Sequence, residues 1–527
     1  MHSSSLLDPH VGVVRAREAV YPALAPFHPD TAFPEYAFRN FVSSEPNHVY
    51  TAVRDSFRLL QLDATHYGTA DWNPLCDIIQ PGDRVVVKPN YVLHAHFSDL
   101  TYDSVVTHSS VLRAVIDYAL KATGSAGTVT IADAPLKDAD FDEIRRLCQL
   151  DGLLQFYQEH GHDVGLIDMR LLSVVQRDGA VISRRYNPDQ LAASRVVNVG
   201  QASAFGDVEH LMHRVGGADY DRKTTRRHHT GGRHEYRVSQ HILDADTILC
   251  VGKLKTHKKT GVTLSMKNLV GINVDKNFLP HYRIGMPSQG GDEFPDRTGW
   301  TQKTRQWLIR AGIDLVLARA ERVAVPLLRR FLALLPEPRG EKYYAEHYSS
   351  TTHPGHNQKM IERFYSFMLG SNIRDGNWWG NDTCWRMVVD LNTILLYCDR
   401  NGQLQDAPVR RYFSILDGIL GGAGEGPMNP TPMESGTIVA GYNPLSVDWC
   451  ATQLMGFDAE KLKVITGARE RSRPLGPNSE PVMLTEDGQW SHGLTATNSL
   501  RFNPHSCWQG IRLEEDPQQN LTESVTT

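Results

Sequence analysis

Apolar positions along this chain switch repeatedly between two spacings, and the switching predicts an architecture. Residues 48–62 carry apolar side chains at helical spacing and predict an amphipathic helix. Pro81-Gly82-Asp83 then makes a turn, and R-V-V-V-K at 84–88 predicts a buried strand. A helix is expected over 109–123, started by His108-Ser109-Ser110. G-T-V-T-I-A at 127–132 predicts a second strand ending in Asp133, 138–160 a further helix, and 164–167 a third strand. Strands alternating with helices predict a parallel sheet with crossover helices, in which binding residues collect at the carboxyl ends of the strands.

Strand patterns return at 195–199, 247–251 and 412–416, and a helix is expected over 445–457. The first 36 residues are rich in His, Pro and Ala and read as an arm wrapping the surface, while 183–241 is polar and irregular. Residues 285–300 form a loop rich in Gly and Pro. Over 303–335 apolar faces alternate with Arg and Lys, and Pro326 must split any helix there. That pattern fits a pair of docking helices inserted into the main fold, or a hairpin that contacts a partner or lies peripherally on a membrane. Beyond 470 the chain turns polar, and the end from 514 on reads as disordered. The expected organisation is an arm (1–36), an α/β core with a Rossmann-like, mainly parallel sheet (37–285 and 377–470), an insertion with amphipathic helices (286–376) and a polar tail (471–527).

Composition narrows the function classes. The 527 residues are 41% hydrophobic and 22% charged, as in soluble globular proteins, and their net charge of −5 offers no general field for nucleic acid. Seven cysteines, an odd number without any C-x-x-C, argue against a disulfide framework, a zinc ribbon or an iron–sulfur cluster. Reduced thiols and a cytoplasmic location are expected. A leader peptide and a transmembrane segment are not expected, because no apolar run of the needed length occurs.

Against this mildly acidic background, residues 251–281 are exceptional. V-G-K-L-K-T-H-K-K-T-G-V-T-L-S-M-K-N-L-V-G-I-N-V-D-K-N-F-L-P-H contains Lys253, Lys255, His257, Lys258, Lys259, Lys267, Lys276 and His281 against one acid, Asp275. On a strand, Lys253, Lys255 and His257 face one way, and their repulsion is relieved by a bound anion or by a lowered lysine pKa. A lysine so lowered is a competent base or nucleophile. Lys255, His257, Lys267 and His281 are therefore the candidate catalytic groups, and Lys253 and Asn268 candidate substrate ligands.

Other segments could join this one. Lys88-Pro89-Asn90 ends the first strand, where Lys88 and Asn90 can meet an anion, or Lys88 can be an ordinary turn lysine. His94, His96 and His108 crowd the same edge as structural histidines or ligands, and His108 adjoins a helix start whose dipole would bind anions and lower an imidazole pKa. The basic segment Arg226, Arg227, His228, His229, Arg233 and His234 reads as exposed loop charge or as a lid over a substrate. D-G-I-L-G-G-A-G-E-G-P at 417–427 reads as a Gly-rich acidic loop, with Gly424 and Gly426 letting backbone approach a ligand. Asp133, Asp417 and Glu425 are candidate ligands for a divalent cation, and Asp448 a helix cap.

Several of these segments together resemble the domain-of-unknown-function 362 (DUF362) family. They are V-V-V-K-P-N (85–90), V-V-T-H-S-S-V-L-R-A-V-I (105–116), I-A-D-A-P (131–135), the K-L-K-T-H to S-M-K-N-L-V-G run within 245–271, 417–427, and A-G-Y-N-P-L-S-V-D (440–448). Many members carry a ferredoxin-like iron–sulfur segment; this chain departs from them in having no C-x-x-C-x-x-C run, so an electron-transfer role is not carried over. The resemblance locates a site without naming a reaction.

The expectation is an enzyme acting on a small anion (a carboxylate, a phosphate ester or a nucleotide-like group) through a Lys/His cluster, with a divalent cation as the one cofactor considered. Rival readings are a metal-dependent isomerase or racemase working by proton transfer, a non-catalytic anion-binding or redox-partner protein, and a membrane-peripheral protein using 303–335. No G-x-S-x-G elbow occurs, which argues against a serine hydrolase.

Overall fold

Neighbouring residues along each central strand belong to different hydrophobic clusters. Val86, Ala132, Ile248, Cys250 and Leu416 lie in one; Val85, Val87, Ile131, Leu249, Val251 and Ile415 lie in the other. A sheet covered on both faces has this pattern, and it needs the nearly continuous apolar runs seen in the sequence. The computed structural model describes residues 5–177, 180–217, 221–296, 375–488, 494–508 and 510–514, with the single positions 304 and 373. The expected amphipathic helices of 303–335 lie outside the described residues apart from Thr304, as does the chain beyond 514.

The central sheet is built from β1 (His10–Arg15), β2 (Arg84–Lys88), β3 (Thr128–Asp133), β4 (Val164–Asp168), β5 (Thr247–His257), β6 (Arg411–Glu425), β7 (Asn429–Gly441) and β8 (Val482–Leu484). Their order is β8-β1-β7-β6-β5-β2-β3-β4, and the two-residue strand Gly261–Val262 adds to the end of β5. All neighbours pair in parallel except β7, which is antiparallel to both β6 and β1. The fold is thus α/β with a mostly parallel sheet. The helices His48–Leu59, Ser109–Thr123 and Leu150–Glu159 cover the face of Val87 and Val251; Cys384–Tyr397, Pro444–Leu454 and Lys463–Arg469 cover the face of Cys250.

The chain runs outward from β2 through β3 to β4, then returns to place β5 on the other side of β2, with β6 beyond. The strand order therefore reverses between β2 and β5, and the carboxyl ends that flank a reversal leave a crevice. Cys250 of β5 pairs with Lys88 of β2, so Lys253, Lys255 and His257 extend past the end of their neighbour.

Three expectations are corrected. The arm 1–36 does not merely wrap the surface: Val11, Val13 and Val14 of β1 are buried in the sheet. The Gly-rich stretch after Asp417 is not a loop, since β6 continues to Glu425 in a hairpin with β7. The helix expected over 138–160 is two, Phe141–Leu147 and Leu150–Glu159, broken at Gln149, whose φ is +50°. No helix among the described residues is long and apolar enough to cross a membrane.

Candidate functional site

Two buried ion pairs anchor the crevice, one on each face of the sheet. On the first face Lys88 Nζ lies 2.7 Å from Asp133 Oδ1, joining the ends of β2 and β3. The same amine donates to Pro89 O (2.7 Å) and to Asn268 Oδ1 (3.2 Å). Asn268 Nδ2 donates to Lys88 O (3.1 Å), which fixes its amide, and its Oδ1 also accepts from Asn90 Nδ2 (3.1 Å). Asp133 Oδ2 accepts from Tyr91 N at 2.9 Å. Gly271 lies directly on the pair, leaving no room there for a Cβ.

On the second face Lys253 Nζ lies 3.0 Å from Asp417 Oδ2, joining β5 to β6. Tyr21 brings its hydroxyl to both partners, accepting from Lys253 at 2.9 Å and donating to Asp417 Oδ1 at 2.5 Å. Its ring stacks on His108 at 4.0 Å between centroids. The His108 amide donates to Asp417 Oδ2 at 2.9 Å. The repulsion expected between Lys253 and Lys255 is thus relieved in part by an internal carboxylate.

Among the described residues no acid pairs with Lys255. It is fully buried, and its amine donates to the carbonyl of Val105. Burial pushes the amine well below the ordinary lysine range; Lys253 and Lys267 push it further, and Asp133 opposes them. His257 is held well below the usual imidazole range by burial, then by Lys267, Lys258, Lys259 and Lys255. Its Nδ1 accepts from Lys259 N at 3.0 Å, so the neutral ring carries its proton on Nε2. Lys267 projects from the short helix Leu264–Asn268 and is part-exposed; no hydrogen bond or ion pair engages its amine among the described residues. Desolvation lowers it as well. Lys276 donates to Val270 O (2.9 Å) and Asn273 O (3.0 Å), and burial lowers its amine to about 7, with Asp133 opposing and Lys88, Lys267 and Arg170 reinforcing.

Residues 199–453 match the model of the family described as Domain of unknown function (DUF362). That segment is similar to the DUF362 family. No curated protein and no solved structure matches it. The matched DUF362 segment contains β5, β6, β7 and the Leu264–Asn268 helix; Tyr21, Lys88, Asn90, His108 and Asp133 come to the site from outside it.

The remaining candidates have other placements. His108 is the N-cap of Ser109–Thr123, with Nδ1 accepting from Ser110 N. Its imidazole is lowered to about 4, chiefly by burial. His94 Nδ1 accepts from Asp140 N, and His96 Nε2 bonds Pro430 O. The amide of His281 donates to Gly216 O, and its Nδ1 bonds Leu279 O. Within the basic segment, His229 and His234 are buried beside Phe205 and do not form an open lid. Gly424 N donates to Asn503 O and Gly426 N to Gly424 O, so both amides are spent inside the chain.

Asp133, Asp417 and Glu425 do not gather as a metal-binding set. Each engages its own basic side chain, Lys88, Lys253 and His505 respectively, and the His505 contact helps lower Glu425 to about 2 against the opposing effect of burial. Among the described residues no group of three or more His, Cys, Asp and Glu is arranged to hold a metal. Asp448 caps Leu264–Asn268 from a different helix, accepting from Ser265 N (2.7 Å) and Met266 N (2.9 Å). Tyr21 is the contributor that sequence reasoning missed; it lies in an irregular Pro-rich arm with no local pattern pointing to it.

Proposed function

We propose that this protein is an enzyme acting on a small anionic substrate (a carboxylate, a phosphate ester or a nucleotide-like group) at the carboxyl edge of β2 and β5. One observation carries the reading: Lys255 and Lys267 have no ion-pair partner among the described residues, although their neighbours Lys88 and Lys253 each have one. Lys267 meets the anion as the accessible amine. Lys255, its amine lowered by burial, serves as base or nucleophile, and His257 offers its Nε2–H as a hydrogen-bond donor to the substrate. The two ion pairs hold β2, β3, β5 and β6 rigidly beneath the substrate.

A screen of carboxylates, phosphates and nucleotides by thermal shift, followed by turnover assays, tests this reading. His257→Ala is expected to abolish turnover while binding persists, and Lys267→Ala to weaken binding at least tenfold, about 1.4 kcal/mol. Unchanged binding in Lys267→Ala would reject the site. Binding without turnover for every ligand would make the protein a binding module. The lowered amine of Lys255 favours proton transfer beside the bound anion. Solvent deuterium entering the substrate is the expected sign, and its absence would point to group transfer.

A further inference from the structure

Five lysines lie at this edge, and among the described residues acids match two of them. Asp133 pairs with Lys88 and Asp417 with Lys253. Lys276 rests on the carbonyls of Val270 and Asn273, and Lys255 on that of Val105. Carbonyl dipoles orient an ammonium but cancel none of its charge. Asp275, next to Lys276 in the chain, spends one carboxylate oxygen on the backbone and side chain of Asn277. Lys267 is the part-exposed member of the unmatched three, whereas Lys255 and Lys276 are buried. Their fields reach one another: Lys267 acts on both Lys255 and Lys276.

A surplus of this kind focused on one accessible group discriminates by ligand charge. A second negative charge on the ligand feels nearly the attraction that the first does. Burial holds all three amines below the usual lysine range, and an arriving dianion draws protons back onto them, so the site acquires charge as it fills. Resting on the anion-site reading above, we infer that this edge selects a dianionic phosphoryl group, the terminal phosphate of a small monoester or of a nucleotide, over a monocarboxylate.

Calorimetric titration of the full-length protein near neutral pH with inorganic phosphate, sulfate, acetate, glycerol phosphate and AMP tests the inference. Phosphate and sulfate are expected to bind about tenfold or more tightly than acetate. Lys267→Met should erase that preference and Lys267→Arg should keep it, which separates lost charge from lost folding. Acetate binding as tightly as phosphate overturns the dianion inference and leaves the anion site standing. No binding by any of the five overturns both. A preference that survives in a folded Lys267→Met protein also overturns the inference. Tighter binding of AMP than of glycerol phosphate supports a nucleotide as the source of the phosphoryl group, and the reverse order supports a small monoester.

Discussion

Replacing Gly271 by alanine tests the tightest packing at the crevice. A Cβ on Gly271 would stand 2.5 Å from Lys88 Nζ and 2.6 Å from Lys88 Cε, and closer still to Asp133 Oδ1. All three contacts fall on one buried ion pair, so neither partner can swing into solvent. Lys88 Nζ is also tied to Pro89 O and Asn268 Oδ1, and Asp133 Oδ2 to Tyr91 N. Retreat of the Gly271 backbone would strain its own carbonyl, which accepts from Ala134 N at 2.9 Å. Overpacking of a core costs about 1–3 kcal/mol, and leaving a buried charge uncompensated costs about 3–5 kcal/mol. The pair is displaced rather than deleted, so a loss of about 3 kcal/mol is expected. Gly206→Ala is the control, because a Cβ there meets nothing within 4 Å; it should change stability by about 0.5 kcal/mol or less. Urea unfolding followed by tryptophan fluorescence gives both values. Equal midpoints for the two variants would refute the claim that backbone seals this ion pair.

Lys88→Met leaves Asp133 buried with only the Tyr91 amide and should cost about 3–5 kcal/mol in urea unfolding; adding Asp133→Asn should recover part of that loss, and no recovery would argue against direct coupling. Tyr21→Phe removes the hydroxyl shared by Lys253, Asp417 and the Leu420 amide and should cost about 1–3 kcal/mol, read as a lowered thermal midpoint; an unchanged midpoint would dismiss the arm's role in holding the site. Lys276 has a folded value of about 7, below its unfolded value of about 10.4, so the folded state binds fewer protons between these limits. The stability of the native protein relative to Lys276→Met should therefore rise with pH across that window, by at most about 1.4 kcal/mol per pH unit, and a flat difference would exclude a neutral buried amine.

The parallel half of the sheet was legible because its strands are buried on both faces and read as unbroken apolar runs. The helix Ser109–Thr123 was legible to the residue, with His108 capping its start and Gly124 at φ +64° ending it. β1 was not, since its six residues sit in a Pro-rich arm and pair with residues 437–441 at the far end of the chain. The extension of β6 was hidden by glycine, which disfavours strands for lack of a side chain to pack. Contacts explain those glycines: a Cβ at Gly418 would strike Leu254, at Gly421 Phe502, and at Gly422 the Ser104 carbonyl and Lys255 Cβ. They permit close approach of neighbouring chain rather than flexibility.

The site divides along the same line between local and distant. Lys253, Lys255 and His257 share a face because a strand alternates, and a local spacing records that. Cancellation of charge is not local: Asp417 lies 164 residues from Lys253, and Tyr21 a further 232 in the other direction. The sequence therefore displays every positive charge and conceals which of them the fold has already neutralised. In the proposed site this exchanges roles. Lys88 and Lys253, expected to hold substrate, are committed to carboxylates that tie strands together, whereas Lys267, expected to do chemistry, has a part-exposed side chain without an ion-pair partner among the described residues. Substituting a paired lysine should thus show first as lost stability, and substituting Lys267 as lost ligand affinity in a protein that still folds; the two effects reversed would mean that the ion pairs open to receive the ligand.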